Sequence, residues 1–219
     1  MKFVIFDLDG TLVESAPDIH DAANRVLADL GISPLSLETV IGFIGNGVPK
    51  LVERVMKEVG IAHSEEKHAE LVAAFSAHYA VNPATLSYLN KGALKALEQL
   101  KGDGFQMAVC TNKPYDLTIQ VLQGLEIADY FGVVIGGDSL LVKKPDAAPL
   151  IRTMELLGSD SCIYIGDSEV DAQTAKNADQ PFFLFTDGYR KTAVADLGAD
   201  AQFDDFVDLP VLINEYSGL

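Results

Sequence analysis

Apolar residues along the chain fall into two regimes. Short apolar runs bounded by turn residues recur from Lys2 to Phe6, Phe105 to Cys110, Gly132 to Ile135, Cys162 to Ile165 and Pro181 to Phe185, and their length predicts strands. Between the later runs the period changes to that of a helix. Leu117, Val121 and Leu122 share one face of the segment from Pro114 to Leu125, and the segments Asp146 to Leu157 and Ser168 to Ala178 follow the same spacing. This alternation predicts an α/β fold, a Rossmann-like parallel sheet with helices on both faces. In such sheets ligands bind beyond the carboxyl ends of the strands.

The stretch between the first and second strands is different, because from about Ser15 to Tyr79 only helical spacing is present. Ile19, Ala22, Ala23, Val26, Leu27 and Leu30 form one apolar stripe that Gly31 should end. Further helices are expected at Ser36 to Ile41, Val48 to Val59 and Ser64 to Ala80, with Ser36 and Ser64 as N-caps. The expected division is therefore an α/β core made of residues 1–14 and 81–219, with residues 15–80 inserted as a helical domain over the sheet's active edge.

Composition narrows the class. A chain of 219 residues, 48% hydrophobic and 22% charged, can bury one sizeable core and a smaller appendage. No apolar run approaches the ~18 residues that would cross a membrane, and the opening Met1-Lys2-Phe3-Val4-Ile5 meets aspartate too soon for a signal peptide. A cytoplasmic protein, a monomer or homodimer with no membrane partner, is the expectation. Cys110 and Cys162 sit in apolar runs without a nearby Cys or His at ligand spacing, which predicts buried reduced thiols. The net charge of −16 and the lack of clustered Lys and Arg argue against nucleic acid. The acidic stretch from Asp196 to Asp208 reads as a solvated face. An anionic substrate would need positive charge or a metal ion concentrated locally.

Four short motifs fall where strands should end. Asp7-Leu8-Asp9-Gly10-Thr11 closes the first strand with two like charges, an arrangement that is costly unless a cation or hydrogen bonds compensate. The pair suggests a hard ion with oxygen ligands, such as magnesium. Val109-Cys110-Thr111-Asn112-Lys113-Pro114 places a hydroxyl and backbone N–H groups at a helix start, where they can hold phosphate oxygens. Lys143-Lys144-Pro145 supplies positive charge, and Gly166-Asp167-Ser168-Glu169-Val170-Asp171 brings a second acidic pair. Taken singly, each motif has an ordinary alternative as a turn, a helix cap or a solvated loop. Their common position at strand ends carries the argument.

In this order the motifs resemble the haloacid dehalogenase superfamily of aspartate-nucleophile phosphatases, and the resemblance covers nearly the whole chain. Phe6 to Val13 followed by Glu14-Ser15-Ala16-Pro17-Asp18, and Ile44-Gly45-Asn46-Gly47 followed by Leu51-Val52-Glu53-Arg54, look like its phosphoglycolate phosphatase branch. The resemblance implies that Asp7 attacks phosphorus to form an aspartyl phosphate, and that Asp9 protonates the leaving alcohol and later deprotonates the hydrolytic water. It implies Mg2+ held by Asp7, the backbone carbonyl of Asp9 and Asp167, with Asp171 acting on the site indirectly or through water. Thr111 and the backbone of Asn112 would hold the phosphoryl oxygens of a small phosphorylated substrate, while Lys144 neutralises its charge and orients Asp7.

The inserted helices resemble the cap of that family, which closes over the site. Gly45, Asn46 and Gly47 are the segment expected to face the substrate, because glycines allow close backbone approach and exposed N–H groups can bind a carboxylate. Lys50 and Arg54 are candidate anion contacts with an ordinary alternative as solvated cap residues. The four histidines match no catalytic position. Departures from the family pattern are Ala147 and Asp179, where proline and glycine are usual, and Lys91-Gly92, where proline-glycine is usual. The alternatives are a related phosphatase for a sugar phosphate, nucleotide or pyrophosphate, a sugar-phosphate mutase, a phospho-accepting signalling domain, and a catalytically silent binding module.

Overall fold

The computed structural model describes residues 2–218. Met1 and Leu219, which end the two expected core segments, lie outside the described residues. Six strands, β1 (Phe3–Phe6), β4 (Gln106–Cys110), β5 (Phe131–Ile135), β6 (Ile163–Gly166), β7 (Phe182–Phe185) and β8 (Ala201–Phe203), form one sheet in the order β5-β4-β1-β6-β7-β8. Every pairing in it is parallel. Chain order reverses around β1, which lies between β4 and β6, and that reversal opens a crevice at the carboxyl ends of these three strands.

Both faces of the sheet are covered, as near-continuous apolar strands require. Val4, Phe6, Met107, Val109, Ile163 and Ile165 point to one face, toward α5 (Ala93–Gly102) and α9 (Leu209–Ser217); Ile5, Ala108, Cys110, Tyr164 and Leu184 point to the other, toward α7 (Ala148–Leu157) and α8 (Glu169–Asn177). The helix α6 (Tyr115–Gly124) follows β4 directly. Cys110 and Cys162 are buried free thiols, as their apolar surroundings predict.

Residues 16–81 contain only helices among their regular elements: α1 (Ala16–Asp29), α2 (Leu37–Ile41), α3 (Val48–Glu58) and α4 (Glu65–Val81). They share a separate apolar cluster in which Ile19, Val26, Leu51, Val55, Leu71 and Phe75 interlock, and Leu117 of α6 reaches into it. Ser36 and Ser64 cap α2 and α4 by accepting from Thr39 N and Lys67 N, as the sequence suggests. Leu30, expected in the apolar stripe of α1, is exposed instead, because the helix ends at Asp29 and Gly31 turns the chain with φ +68°.

Two short strands, β2 (Val13–Glu14) and β3 (Tyr88–Leu89), pair antiparallel where the chain leaves and re-enters the sheet domain. Asp18, buried in the first turn of α1, clasps the returning chain by accepting from Leu86 N, Ser87 N and Ser87 Oγ. Tyr189 does the same for the outgoing chain, its hydroxyl accepting from Ser15 N and Ala16 N and donating to Glu14.

The stretch Asp196 to Asp208 is more than a solvated acidic face. Its carboxylates are mainly exposed, but it contains β8, and Phe203 and Phe206 are buried against Phe185.

Candidate active site

The site is built where the strands stop. Asp7 N still donates to Ile165 O at 2.8 Å, so the Asp7 side chain emerges from a backbone fixed by the sheet. A tight turn follows, in which Thr11 N and Val13 N both donate to Leu8 O. Gly10 has φ +84°, and a Cβ there would lie 2.7 Å from Asp167 Oδ2, so the turn requires glycine both for its backbone and for its proximity to the second acidic motif. Thr111 N donates to Ile135 O at 3.0 Å, which holds Thr111 at the end of β4 beside Asp7.

Asp7, Asp167 and Asp171 offer oxygens that all lie within 4.8 Å of one another, and all three are buried. Lys144 is the countercharge among them. Only 2% exposed, it places Nζ 3.0 Å from Asp7 Oδ1 and 2.7 Å from Asp171 Oδ1, and it donates to Tyr164 Oη at 2.8 Å. Its approach to Asp7 is an ion pair outside hydrogen-bonding direction, and Asp7 Oδ1 has no hydrogen-bond donor among the described residues.

The electrostatics follow from three neighbouring buried acids, of which Asp7 and Asp171 pair with one ammonium. Burial pushes Asp7 up to about 7; Lys144 opposes the shift and Asp171 adds to it. Burial, then Asp171 and Asp7, drive Asp167 well above the carboxylate range against the hydrogen bonds from Thr11 and Tyr189 N. Burial acts on Asp171 in the same sense, but Lys144 and the hydrogen bonds from Ser168 and Tyr164 together outweigh it and hold this carboxyl below its ordinary value. Burial by itself would lower Lys144, and Asp171 and Asp7 together hold it above the lysine range.

This donor set fits a hard divalent cation, which would offset the negative charge that three buried carboxyls leave beside one ammonium. Asp171 is the least suited of the three to touch it. Its Oδ1 accepts from Lys144 and Tyr164, and its Oδ2 accepts from Ser168 N, Ser168 Oγ and Asp167 N, closing a capping box at the start of α8. The geometry gives it the task of fixing Lys144 and the β6–α8 turn. Asp167 also makes two hydrogen bonds, from Thr11 Oγ1 at 2.7 Å and Tyr189 N at 2.6 Å, which leaves acceptor capacity on each oxygen.

Asp9 faces elsewhere. Its carboxylate is paired with Lys113, whose Nζ lies 2.9 Å from Oδ1 and 3.2 Å from Oδ2, and it stands apart from the cluster of Asp7, Asp167 and Asp171. Lys113 also donates to Tyr79 Oη at 2.6 Å. Burial opposes its charge, but Asp9 and then Tyr79 outweigh it and hold Lys113 above the lysine range.

A pocket opens between this floor and the helices of residues 16–81. Asp7, Asp9, Thr111, Asn112 and Lys113 line it from the sheet side, and Gly45, Gly47, Ile19, Phe75 and Tyr79 from the helical side. Gly45 and Gly47 have φ +109° and +81°, and a Cβ on Gly47 would meet Asn112 O at 3.0 Å. The Asn112 side chain donates to Gly45 O at 3.1 Å and Lys144 O at 3.0 Å, so it joins the two sides of the pocket.

Some expected cap contacts do not reach the pocket. Asn46 is turned away, its side chain accepting from Arg54 and its carbonyl from Lys143. Arg54 also donates to Phe43 O and braces that loop, while Lys50 pairs with Glu53 on the exposed face of α3. Three of the four histidines bond within the helical layer, His20 to Leu35 O, His68 to Pro49 O and His78 to Asp29, and the His63 ring lies against that of His68.

A parallel sheet whose crevice gathers acids, an ammonium and a hydroxyl beneath a helical insert defines a hydrolase of the Rossmann-like α/β class. The chain belongs to the haloacid dehalogenase-like hydrolases, whose family model matches residues 4–185. It is 46% identical over 213 residues to the phosphoglycolate phosphatase of Cereibacter sphaeroides strain ATCC 17025, an alignment covering 97% of this chain and 98% of that protein. Identity to the phosphoglycolate phosphatase of Rhodobacter capsulatus is 39%, over 98% of this chain and 97% of that one. The crystal structure of a predicted phosphoglycolate phosphatase from Haemophilus somnus superposes with a TM-score of 0.91 at 31% identity, covering 97% and 98% of the two chains.

Proposed function

We propose that this hydrolase is a phosphomonoesterase that converts 2-phosphoglycolate to glycolate and phosphate with the help of Mg2+. Its reaction class is that of a phosphatase. The observation that carries the reading is the placement of Asp7 at the end of β1, in an ion pair with Lys144 and beside Asp167, on the floor of a pocket that the helical layer covers. The substrate is inferred from the relatives named phosphoglycolate phosphatase that match over nearly the whole chain.

In this reading Asp7 attacks phosphorus through a carboxylate oxygen, and the ester oxygen leaves as an alcohol after taking a proton from Asp9. Water then cleaves the aspartyl phosphate, giving its proton back to Asp9. Thr111 and the Asn112 backbone cradle the phosphoryl oxygens, and Lys144 offsets their charge while holding Asp7 in place. Asp7, Asp167 and the Asp9 carbonyl would hold the metal, which when bound lowers the repulsion between an anionic nucleophile and an anionic phosphate. Gly45 and Gly47 offer the cap-side backbone against which the glycolate portion packs. The helices of residues 15–80 act as a cap that excludes water.

The test is phosphate release from 2-phosphoglycolate measured beside sugar phosphates, nucleotides and pyrophosphate, with and without magnesium. A kcat/KM that favours 2-phosphoglycolate by about tenfold or more, equivalent to about 1.4 kcal/mol, supports the assignment. A flat profile, or one led by a sugar phosphate, replaces the substrate and keeps the chemistry.

A further inference from the structure

Lys113 has no part in the chemistry described so far, yet it is one of the most enclosed charges in the molecule, its side chain 3% exposed. An ammonium has three protons to donate. Here they meet three oxygens: both carboxylate oxygens of Asp9, at 2.9 and 3.2 Å, and the hydroxyl of Tyr79, at 2.6 Å. Nζ also lies 4.3 Å from the centre of the Tyr79 ring, and that ring stacks on Phe75 with centroids 5.9 Å apart. Asp9 belongs to the turn after β1, Lys113 to the turn after β4, and Tyr79 and Phe75 to α4 of the helical layer. The side chain thus spans the boundary between the sheet and its cover.

We infer that Lys113, held by Tyr79, is a positioning residue that fixes the direction of the Asp9 carboxyl group and makes that direction depend on the packing of α4. The inference rests on the reading that Asp9 moves the proton. Asp9 stands on a turn with a single backbone bridge, to Val13, so its side chain needs an external clamp. A flexible lysine alone would clamp poorly. The phenol hydroxyl and ring restrict its ammonium to one place, and they do so only while α4 lies against the pocket.

The experiment uses the full chain with magnesium and two substrates, the best alkyl phosphate from the panel above and 4-nitrophenyl phosphate, whose acidic leaving group departs without needing a proton. Lys113→Met should lower the single-turnover rate of the first step, read as release of the alcohol or nitrophenol before the shared hydrolysis, by about 100-fold for the alkyl ester, at the low end of what a positioned acid contributes, and by less than about threefold for 4-nitrophenyl phosphate. Lys113→Arg should restore part of the loss. Tyr79→Phe keeps the ring and the Lys113–Asp9 pair, so it should fold, and it should reproduce the same leaving-group bias at roughly fivefold. If Lys113→Met does not fold, Tyr79→Phe decides.

Equal losses on both substrates, no loss on either, or a change confined to KM would overturn the inference, the last in favour of direct substrate contact. Asp9→Asn separates it from the reading beneath it. Retained alkyl phosphatase activity in Asp9→Asn overturns the role of Asp9 itself and the inference with it. An inactive Asp9→Asn beside an unbiased Lys113→Met overturns the inference alone.

Discussion

At the scale of single residues, the burial of Asp7 sets the cost of ionising the proposed nucleophile. A carboxyl pushed up to about 7 is one whose ionised form the fold opposes until a cation arrives. Asp7→Asn removes the proposed nucleophile and keeps the shape, so kcat should fall by at least about 10³-fold, within the range seen when a nucleophile is lost. Without metal at pH 8 the same variant should melt no lower than the wild type, since it also removes an opposed charge; a loss of several degrees would contradict this account. Lys144 behaves in the opposite way. Lys144→Met leaves Asp171 buried without its counter-ion, and urea titration should show a loss of about 3–5 kcal/mol.

At the scale of elements, turns decide how close the motifs come. Asp179 ends α8 with φ +55°, and Gln180 N closes the helix by donating to Ala175 O. Aspartate tolerates this conformation better than most residues, so the departure from glycine costs little, and Asp179→Gly should raise the urea-derived stability by about 1 kcal/mol or less. The pocket loop is less tolerant. Gly47→Ala would strain a positive φ and press on the Asn112 carbonyl, and it should destabilise by about 1–2 kcal/mol and raise KM for the substrate.

At the scale of the molecule, the site sets a pH dependence. Carboxyls whose folded values are raised contribute stability below their ordinary range near pH 4, and that stability is lost as pH climbs toward the folded value. For Asp7 the window runs from about 4 to about 7, and Asp167 shifts in the same direction. The proposed cation would bind the ionised acids, so protons would compete with it. The rise in melting temperature on adding magnesium should therefore be larger at pH 8 than at pH 5, and a chelator should abolish it. A shift that shrinks with rising pH would argue against these carboxylates as the ligands.

Local pattern was enough for much of the architecture. The five longer strands and the helices that follow β4, β5 and β6 could be read from runs and periods, because each buries an apolar face whose spacing the backbone dictates. The strand β8 could not, since three residues among exposed aspartates carry too little period; Phe203 and Phe206 bury only because β7 and α5 are already in place. The strand-end acids Asp7, Asp9, Asp167 and Asp171 were legible as motifs, together with Thr111 and Lys144, because their placement depends on where strands stop. Partnership was not legible. That Asp171 is saturated by Lys144, Tyr164 and Ser168, that Arg54 turns Asn46 from the pocket, and that Lys113 binds Asp9 and Tyr79 all depend on contacts between segments 27 or more residues apart or on side-chain directions within a local segment. The sequence by itself determined which chemical groups stand at the carboxyl edge of the sheet. Tertiary structure alone decided which of them share a countercharge or a hydrogen-bond partner, because those pairings are set by distance in space and by desolvation.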